Sequence, residues 1–152
     1  MVEPVVGDQS PGRLSERLRL VVDALPLRPG LRVLEIGCGP GAAAREVARR
    51  IGHGHVHAID RSPRAIAQAL AGSQVEVASG VLSFACVAAE DFTLPEGAAL
   101  FDLAFAVRVG ALDGRHPEAG RRARRRIAEV LTDEGSLLVD SGASLRVVPL
   151  DD

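Results

Sequence analysis

Val33-Leu34-Glu35-Ile36-Gly37-Cys38-Gly39-Pro40-Gly41 decides the reading of this chain. A short apolar run leads into glycines at alternate positions, and the stretch Ala42 to Ile51, which follows, favours helix. A second apolar run, His55 to Asp60, then ends in an acid. A strand, a glycine turn, a helix and an acid closing the next strand are the parts of a nucleotide site in an open α/β sheet. Glycines serve such a turn in two ways: they allow positive φ, and they let a ligand come close to the backbone. The helix start after Gly41 adds free N–H groups and the positive end of a dipole.

Outward from this stretch, apolar residues alternate between strand and helix spacing. Leu14, Leu18, Val21, Val22 and Leu25 recur at helical intervals, and Pro26 with Arg28-Pro29-Gly30 ends that helix. Ser62 then Pro63 is a helix start, and Ile66, Leu70, Ser73 and Val77 extend one face to about Ala78. Val81 to Ala88 and Phe101 to Val107 are the third and fourth strands, joined by a loop containing Pro95-Glu96-Gly97. Pro117 to Leu131 is a helix; Asp133-Glu134-Gly135 turns the chain into a fifth strand, Ser136 to Asp140. The expectation is an α/β fold: an open, doubly wound, mostly parallel sheet of about five strands, with right-handed crossovers. Residues 1–12 form a flexible lead-in and 13–152 a single domain.

Composition narrows the classes. The chain has 152 residues, 47% of them hydrophobic, and a net charge of −2. That permits a real core but gives no global basic field to attract nucleic acid. Cys38 and Cys86 stand apart, outside any regular cysteine framework, which points to a reducing cytoplasm. The start of the chain carries no long apolar run, so neither a signal peptide nor a membrane span is expected.

The spacing Gly37-x-Gly39-x-x-Ala42 also satisfies a dinucleotide pattern, which would make the protein a nicotinamide-dependent oxidoreductase. Two residues weigh against that. Glu35 places a carboxylate on a strand expected to be buried, where it needs a cationic or donor-rich partner. Pro40 removes an N–H where phosphate cradling wants one.

The stretch resembles the first motif of class I S-adenosylmethionine-dependent methyltransferases. Ala89-Glu90-Asp91-Phe92 with Leu94-Pro95, Phe101-Asp102-Leu103-Ala104-Phe105 and Gly135-Ser136-Leu137-Leu138-Val139 resemble the family's adenine loop, fourth strand and fifth strand. The resemblance covers about residues 13 to 142. It implies S-adenosylmethionine as cofactor, S-adenosylhomocysteine as product, and a methyl acceptor that is a small molecule. It implies that the turn, Gly37, Cys38, Gly39 and Gly41, lies against the methionine moiety, with Glu35 holding the turn and the ammonium region. It implies that Asp60 holds the ribose hydroxyls and that Ala89 and Glu90 border the adenine. Arg61 either flanks the adenine or faces solvent.

Two departures stand out. Ala88 occupies a position where the family often has an acid facing the adenine amino group. Only ten residues follow Gly142, so most of the usual C-terminal antiparallel hairpin is missing. Leu145 to Val148 forms one short antiparallel strand beside the fifth, or else the fifth strand is an open edge that a second copy covers as a homodimer. The alternative function is a cofactor-binding or assembly subunit without catalysis.

Arg108, Asp113 and His116 follow the fourth strand, and ligands in such sheets bind at the carboxyl ends of strands. Arg108 is therefore assigned to the cofactor site, and His116 with Asp113 are the candidate bases for an acceptor that must lose a proton. His53, His55 and His57 share one face of an extended strand, but no acid or cysteine converges on them to make a Zn²⁺ site. Arg121, Arg122, Arg124, Arg125 and Arg126 crowd one helix and read as a solvated face rather than a nucleic-acid surface.

Overall fold

The computed structural model describes residues 13–112, 114–140, 142 and 144–150. The lead-in 1–12 and Asp113 lie outside them. Helix α1 (Glu16–Ala24) starts at Ser15, whose hydroxyl accepts the Leu18 N–H at 3.1 Å, and it buries Val21 and Val22. Strand β1 (Arg32–Ile36) runs into the glycine turn and helix α2 (Ala42–Ile51). Val47, Ala48 and Ile51 of α2 face the core, and Arg49 and Arg50 fill its last turn, where the dipole favours cations. Strand β2 (His55–Asp60) leads to helix α3 (Pro63–Gly72), capped by Ser62.

The single helix expected to reach Ala78 is two. Helix α4 (Gln74–Ala78) begins after Ser73, which leaves helical geometry at φ −129°. Ser73 is fully buried, and its hydroxyl accepts from Arg45 Nη1 at 2.8 Å. The sequence periodicity continues across this point because Ser73 faces the same way as Ile66; the break comes from a partner on α2, outside the local pattern.

Strand β3 (Leu82–Cys86) is followed by a single 3₁₀ turn, Ala89–Asp91, and strand β4 (Phe101–Val107). Helix α5 (Pro117–Val130) passes straight into strand β5 (Leu131–Asp140). The turn expected at 133–135 lies inside that strand. The register with β4 jumps from Phe101 opposite Leu131 to Leu103 opposite Ser136, so these residues bulge without ending the pairing.

Strand β6 (Leu145–Val148) makes the sheet six-stranded rather than about five-stranded, in the order β3-β2-β1-β4-β5-β6. It pairs antiparallel with β5, Val139 opposite Arg146, and the other pairings are parallel. The fifth strand is therefore not the open edge considered from the sequence; β6 covers Leu137–Asp140 within the chain. Val33, Leu103, Phe105 and Leu138 pack on one face with α1 and α2. Leu34, Ala104, Leu137 and Val139 pack on the other with Ala123, Ile127 and Val130 of α5. Arg17 of α1 donates to the buried Asp140 carboxylate at 2.6 Å, tying α1 to the end of β5. No helix among the described residues is long and apolar enough to cross a membrane.

The strand order reverses between β1 and β4, because β2 and β3 lie on one side of β1 and β4 to β6 on the other. Open α/β sheets bind ligands in the crevice at this switch point. Between β3 and β4 the only helical element is the 3₁₀ turn, so no α-helix links these strands across the α5 face.

Candidate functional site

The glycine turn closes over the carboxyl ends of β1 and β2. The N–H groups of Gly37 and Cys38 both donate to Ile59 O, at 2.8 and 3.0 Å. Gly37 has φ 70°, and a Cβ there would stand 2.6 Å from Val109 Cγ2, so the position excludes any side chain. Gly39, at φ 53°, has open space around it; it needs glycine for its backbone angle alone. Its N–H donates to Asp60 Oδ2 at 2.9 Å, and the Ser62 N–H donates to Asp60 Oδ1 at 2.9 Å. Asp60 thus joins the turn to the end of β2 while its remaining lone pairs stay available.

Glu35 lies beneath the turn, 2% exposed. Burial, then the nearby Asp60 carboxylate, pushes its carboxyl up to about 8, against the pull of the Ala44 N–H and the Arg45 charge. The donor-rich partner expected from the sequence is supplied in part, by Ala44 at the start of α2. Oε1 of Glu35 is buried with no hydrogen-bond partner. Arg45 braces the same region, donating to Pro40 O at 3.0 Å as well as to Ser73.

A cavity of about 570 Å³ opens beside the turn, within the size range of small-molecule and cofactor sites. Of the residues singled out in the sequence, Gly37, Asp60, Arg61, Ala89, Glu90, Arg108 and His116 line it. Glu35, Cys38, Gly39 and Gly41 do not. Gly41 starts α2, and the Cys38 side chain packs into the α1–α2 core, where burial and the Glu35 charge raise its thiol far above the usual range. Arg61 is exposed and stands at the edge of the cavity.

Sequence reasoning missed the apolar walls, Ile36, Ile59, Val87 and Val107, and the segment Val109, Gly110, Ala111, Arg115 and Ala119. Their only signal in the sequence was position, after the ends of strands. It also missed that Arg108 has φ 54°, the one described residue other than glycine with positive φ. Its N–H donates to Asp140 O at 2.9 Å, which turns the chain sharply into the cavity wall. Non-glycine residues in this region are strained and cluster at functional positions.

The other constellations lie elsewhere. His55 and His57 both contact Ser83, while His53 sits against Gly30. Among the described residues no group of three metal-ligating side chains is placed to hold an ion. On α5, Arg121 and Arg126 pair with Glu118 and Glu129, and Ala123 and Ile127 turn inward.

Residues 33–135 match the family described as a methyltransferase domain. Phosphoethanolamine N-methyltransferase 2 of Caenorhabditis elegans is 43% identical over 61 residues, which is 40% of this chain and 14% of that protein. The solved phosphoethanolamine N-methyltransferase 2 of Haemonchus contortus, in complex with S-adenosyl-L-methionine, superposes with a TM-score of 0.67 at 26% identity, covering 86% of this chain and 28% of that one. The [4+2]-cyclase SpnF superposes with a TM-score of 0.65 at 31% identity, covering 86% of this chain and 48% of that one. The chain thus spans less than half the length of each of these relatives.

Proposed function

The chain belongs to the methyltransferase-domain family, and on that premise we propose that it binds S-adenosylmethionine and transfers its methyl group to a small-molecule acceptor. Family membership sets aside the nicotinamide reading. The observation that carries the proposal is Asp60, held by the Gly39 N–H on the rim of the cavity, as a diol-binding acid requires. Glu35, buried beneath the turn and accepting the Ala44 N–H, supports the turn from below rather than meeting the ligand directly.

In this reading the Gly37–Gly41 turn receives the methionine part and Asp60 accepts from both ribose hydroxyls. Ile59 and Val87 flank the adenine with Arg61, Ala89 and Glu90 around its edge. Ala88 offers no acceptor to the adenine amino group, so that role passes to Glu90 or to loop carbonyls. Bound there, the cofactor would supply an electrophilic methyl group to an acceptor lone pair, with the demethylated product as leaving group. The residues of the chain align the two partners and exclude water. Arg108 stays with the cofactor, and His116 borders the acceptor and takes the proton of an acceptor that must lose one. Asp113, the other candidate base, lies outside the described residues. The free thiols of Cys38 and Cys86 suit a reducing, cytoplasmic setting. A homodimer built through a sheet edge would use β6 or β3, not β5.

Isothermal titration with S-adenosylhomocysteine tests the binding: saturable heat is expected, and none at millimolar ligand defeats the proposal. His116→Ala should lower kcat while leaving cofactor affinity unchanged. A second reading, cofactor binding without methyl transfer, is favoured by the similarity to a [4+2]-cyclase. Binding of the demethylated product, with no label transferred from methyl-labelled cofactor to any small molecule of a cell extract, would select it.

A further inference from the structure

The α5 face carries a second groove, about 400 Å³, that shares only Val87 with the cofactor cavity. It lies where no helix links β3 to β4, and its floor is made by facing residues of three neighbouring strands. Arg32 of β1 stands opposite His55 of β2, and His57 stands opposite Ser83 of β3. Ser83 Oγ is 2.7 Å from His55 Nε2 and 2.6 Å from His57 Nδ1. His55 Nδ1 donates to Gly80 O at 2.8 Å, so His55 Nε2 accepts the one Ser83 proton and Ser83 Oγ accepts the His57 Nδ1–H. The Arg32 guanidinium lies 5.6 Å over the Phe101 ring, and its Nε is buried with no hydrogen-bond partner. His57 stacks on Phe92 and Phe101, at 5.7 and 6.3 Å, and Leu94 and Pro95 complete an apolar wall.

This is an unusual set of groups for a sheet face. A guanidinium with no carboxylate ion pair among the described residues, two imidazoles and a hydroxyl converge beside aromatic rings. Asp91, on the groove wall, and Asp102, which accepts the Arg32 backbone N–H at 2.9 Å, are the acids nearby. Neither forms an ion pair with Arg32. A cation is disfavoured here, since Arg32 is one already and only two imidazoles are at hand.

We propose that this groove binds a small oxyanion, a carboxylate, phosphate or sulfate group carried on an apolar or aromatic body, with Arg32 as counter-charge and His57 Nε2, once protonated, as hydrogen-bond donor, its ring held in place by Ser83. Guanidinium suits this task because its planar fork matches oxyanion geometry and it stays charged throughout. Leu94 and Pro95, the more exposed part of the wall, receive the body of the ligand, with the buried Phe92 and Phe101 rings behind them. Electrostatics point the same way: burial, then the His55 and Arg32 charges, push the His57 imidazole down to about 4. A bound anion offsets the two charges, though not the burial, so binding favours the protonated His57 and affinity rises as pH falls.

The test is an NMR titration of the whole chain with sulfate and with benzenesulfonate, whose charges are constant over the range used, following the histidine imidazole and Arg32 Nε–H signals. Saturable shifts at His55, His57 and Arg32 are expected. Binding should be at least about threefold tighter for benzenesulfonate than for sulfate, the scale of one modest apolar contact. It should also be tighter at about pH 5 than at about pH 8. Arg32→Gln should weaken binding about tenfold or more, as loss of a charged hydrogen-bond partner does. Ser83→Ala gives a second variant should the first not fold, and retained S-adenosylhomocysteine binding reports that each variant is folded. Non-saturating shifts, shifts confined to the Asp60 and His116 cavity, or affinity unchanged by pH and by both substitutions would overturn the proposal and leave the cofactor reading untouched.

Discussion

Asp60 Oδ2 accepts the Gly39 N–H at 2.9 Å, so the acid that ends β2 also sets the conformation of the turn after β1. Two features that are separated in the chain, the glycine turn and the strand-end acid, are one hydrogen-bonded unit. The Ser62 N–H on the other carboxylate oxygen ties the start of α3 to the same point. Any ligand group that Asp60 takes is therefore positioned relative to the turn and to α3 at once.

Replacing Asp60 by Ala should weaken S-adenosylhomocysteine binding by about 1–3 kcal/mol, the scale for loss of a charged hydrogen-bond partner. It also frees the Gly39 and Ser62 N–H groups, so the melting temperature should fall. Calorimetry of both quantities is the check; unchanged affinity in a folded variant removes Asp60 from the site.

Glu35 makes stability depend on pH. Its carboxyl titrates at about 8 in the folded chain against 4.5 for the free group, so the native state retains a proton that the unfolded chain releases. The associated stability is fully present below pH 4.5 and is lost as pH rises through about 8. By about pH 7 the loss is on the order of 3 kcal/mol. Glu35→Gln should flatten this dependence, and urea melts across the window measure it. An unchanged slope would mean that the carboxyl is ionised in the native protein.

Arg108 is held in the left-handed region at the mouth of β4. That conformation costs about 1–2 kcal/mol for a residue bearing a Cβ, and glycine gives back roughly half of the gain through its greater unfolded entropy. Arg108→Gly should therefore raise stability by about 0.5–1 kcal/mol while weakening ligand binding in the cavity. Thermal melts and product-binding titrations on one sample separate the two effects.

Ser73→Ala removes the buried acceptor of Arg45 Nη1 between α3 and α4. Losing this charge-assisted hydrogen bond should cost about 1–3 kcal/mol. Because Arg45 also donates to Pro40 O, amide exchange should quicken in the glycine turn as well as near residue 73. Exchange that quickens at the helix break alone would separate Arg45 from the support of the turn.

Much of the frame was legible because it is written locally. Alternating apolar runs, Ser62-Pro63 and the glycine turn each act within a few residues, and helices α2 and α3 begin where these signals place them. What went unread depends on partners distant in the chain. Ser73 breaks a helix because Arg45 needs an acceptor. The 133–135 segment bulges within a strand because Leu131 already pairs with Phe101.

By itself, then, the sequence determined a nucleotide-type turn with Glu35 and Asp60 around it and a sheet of alternating crossovers, since backbone angles and apolar periodicity are properties of short stretches. Only the tertiary structure decided that Asp60 grips Gly39, that Cys38 turns into the core, and that β6 covers the edge of β5. The tertiary structure alone decided, too, that Arg32, His55, His57 and Ser83 meet on one face. Each of these is a contact between separate strands or loops, and which residues meet there is set by strand order and register, which no local preference encodes.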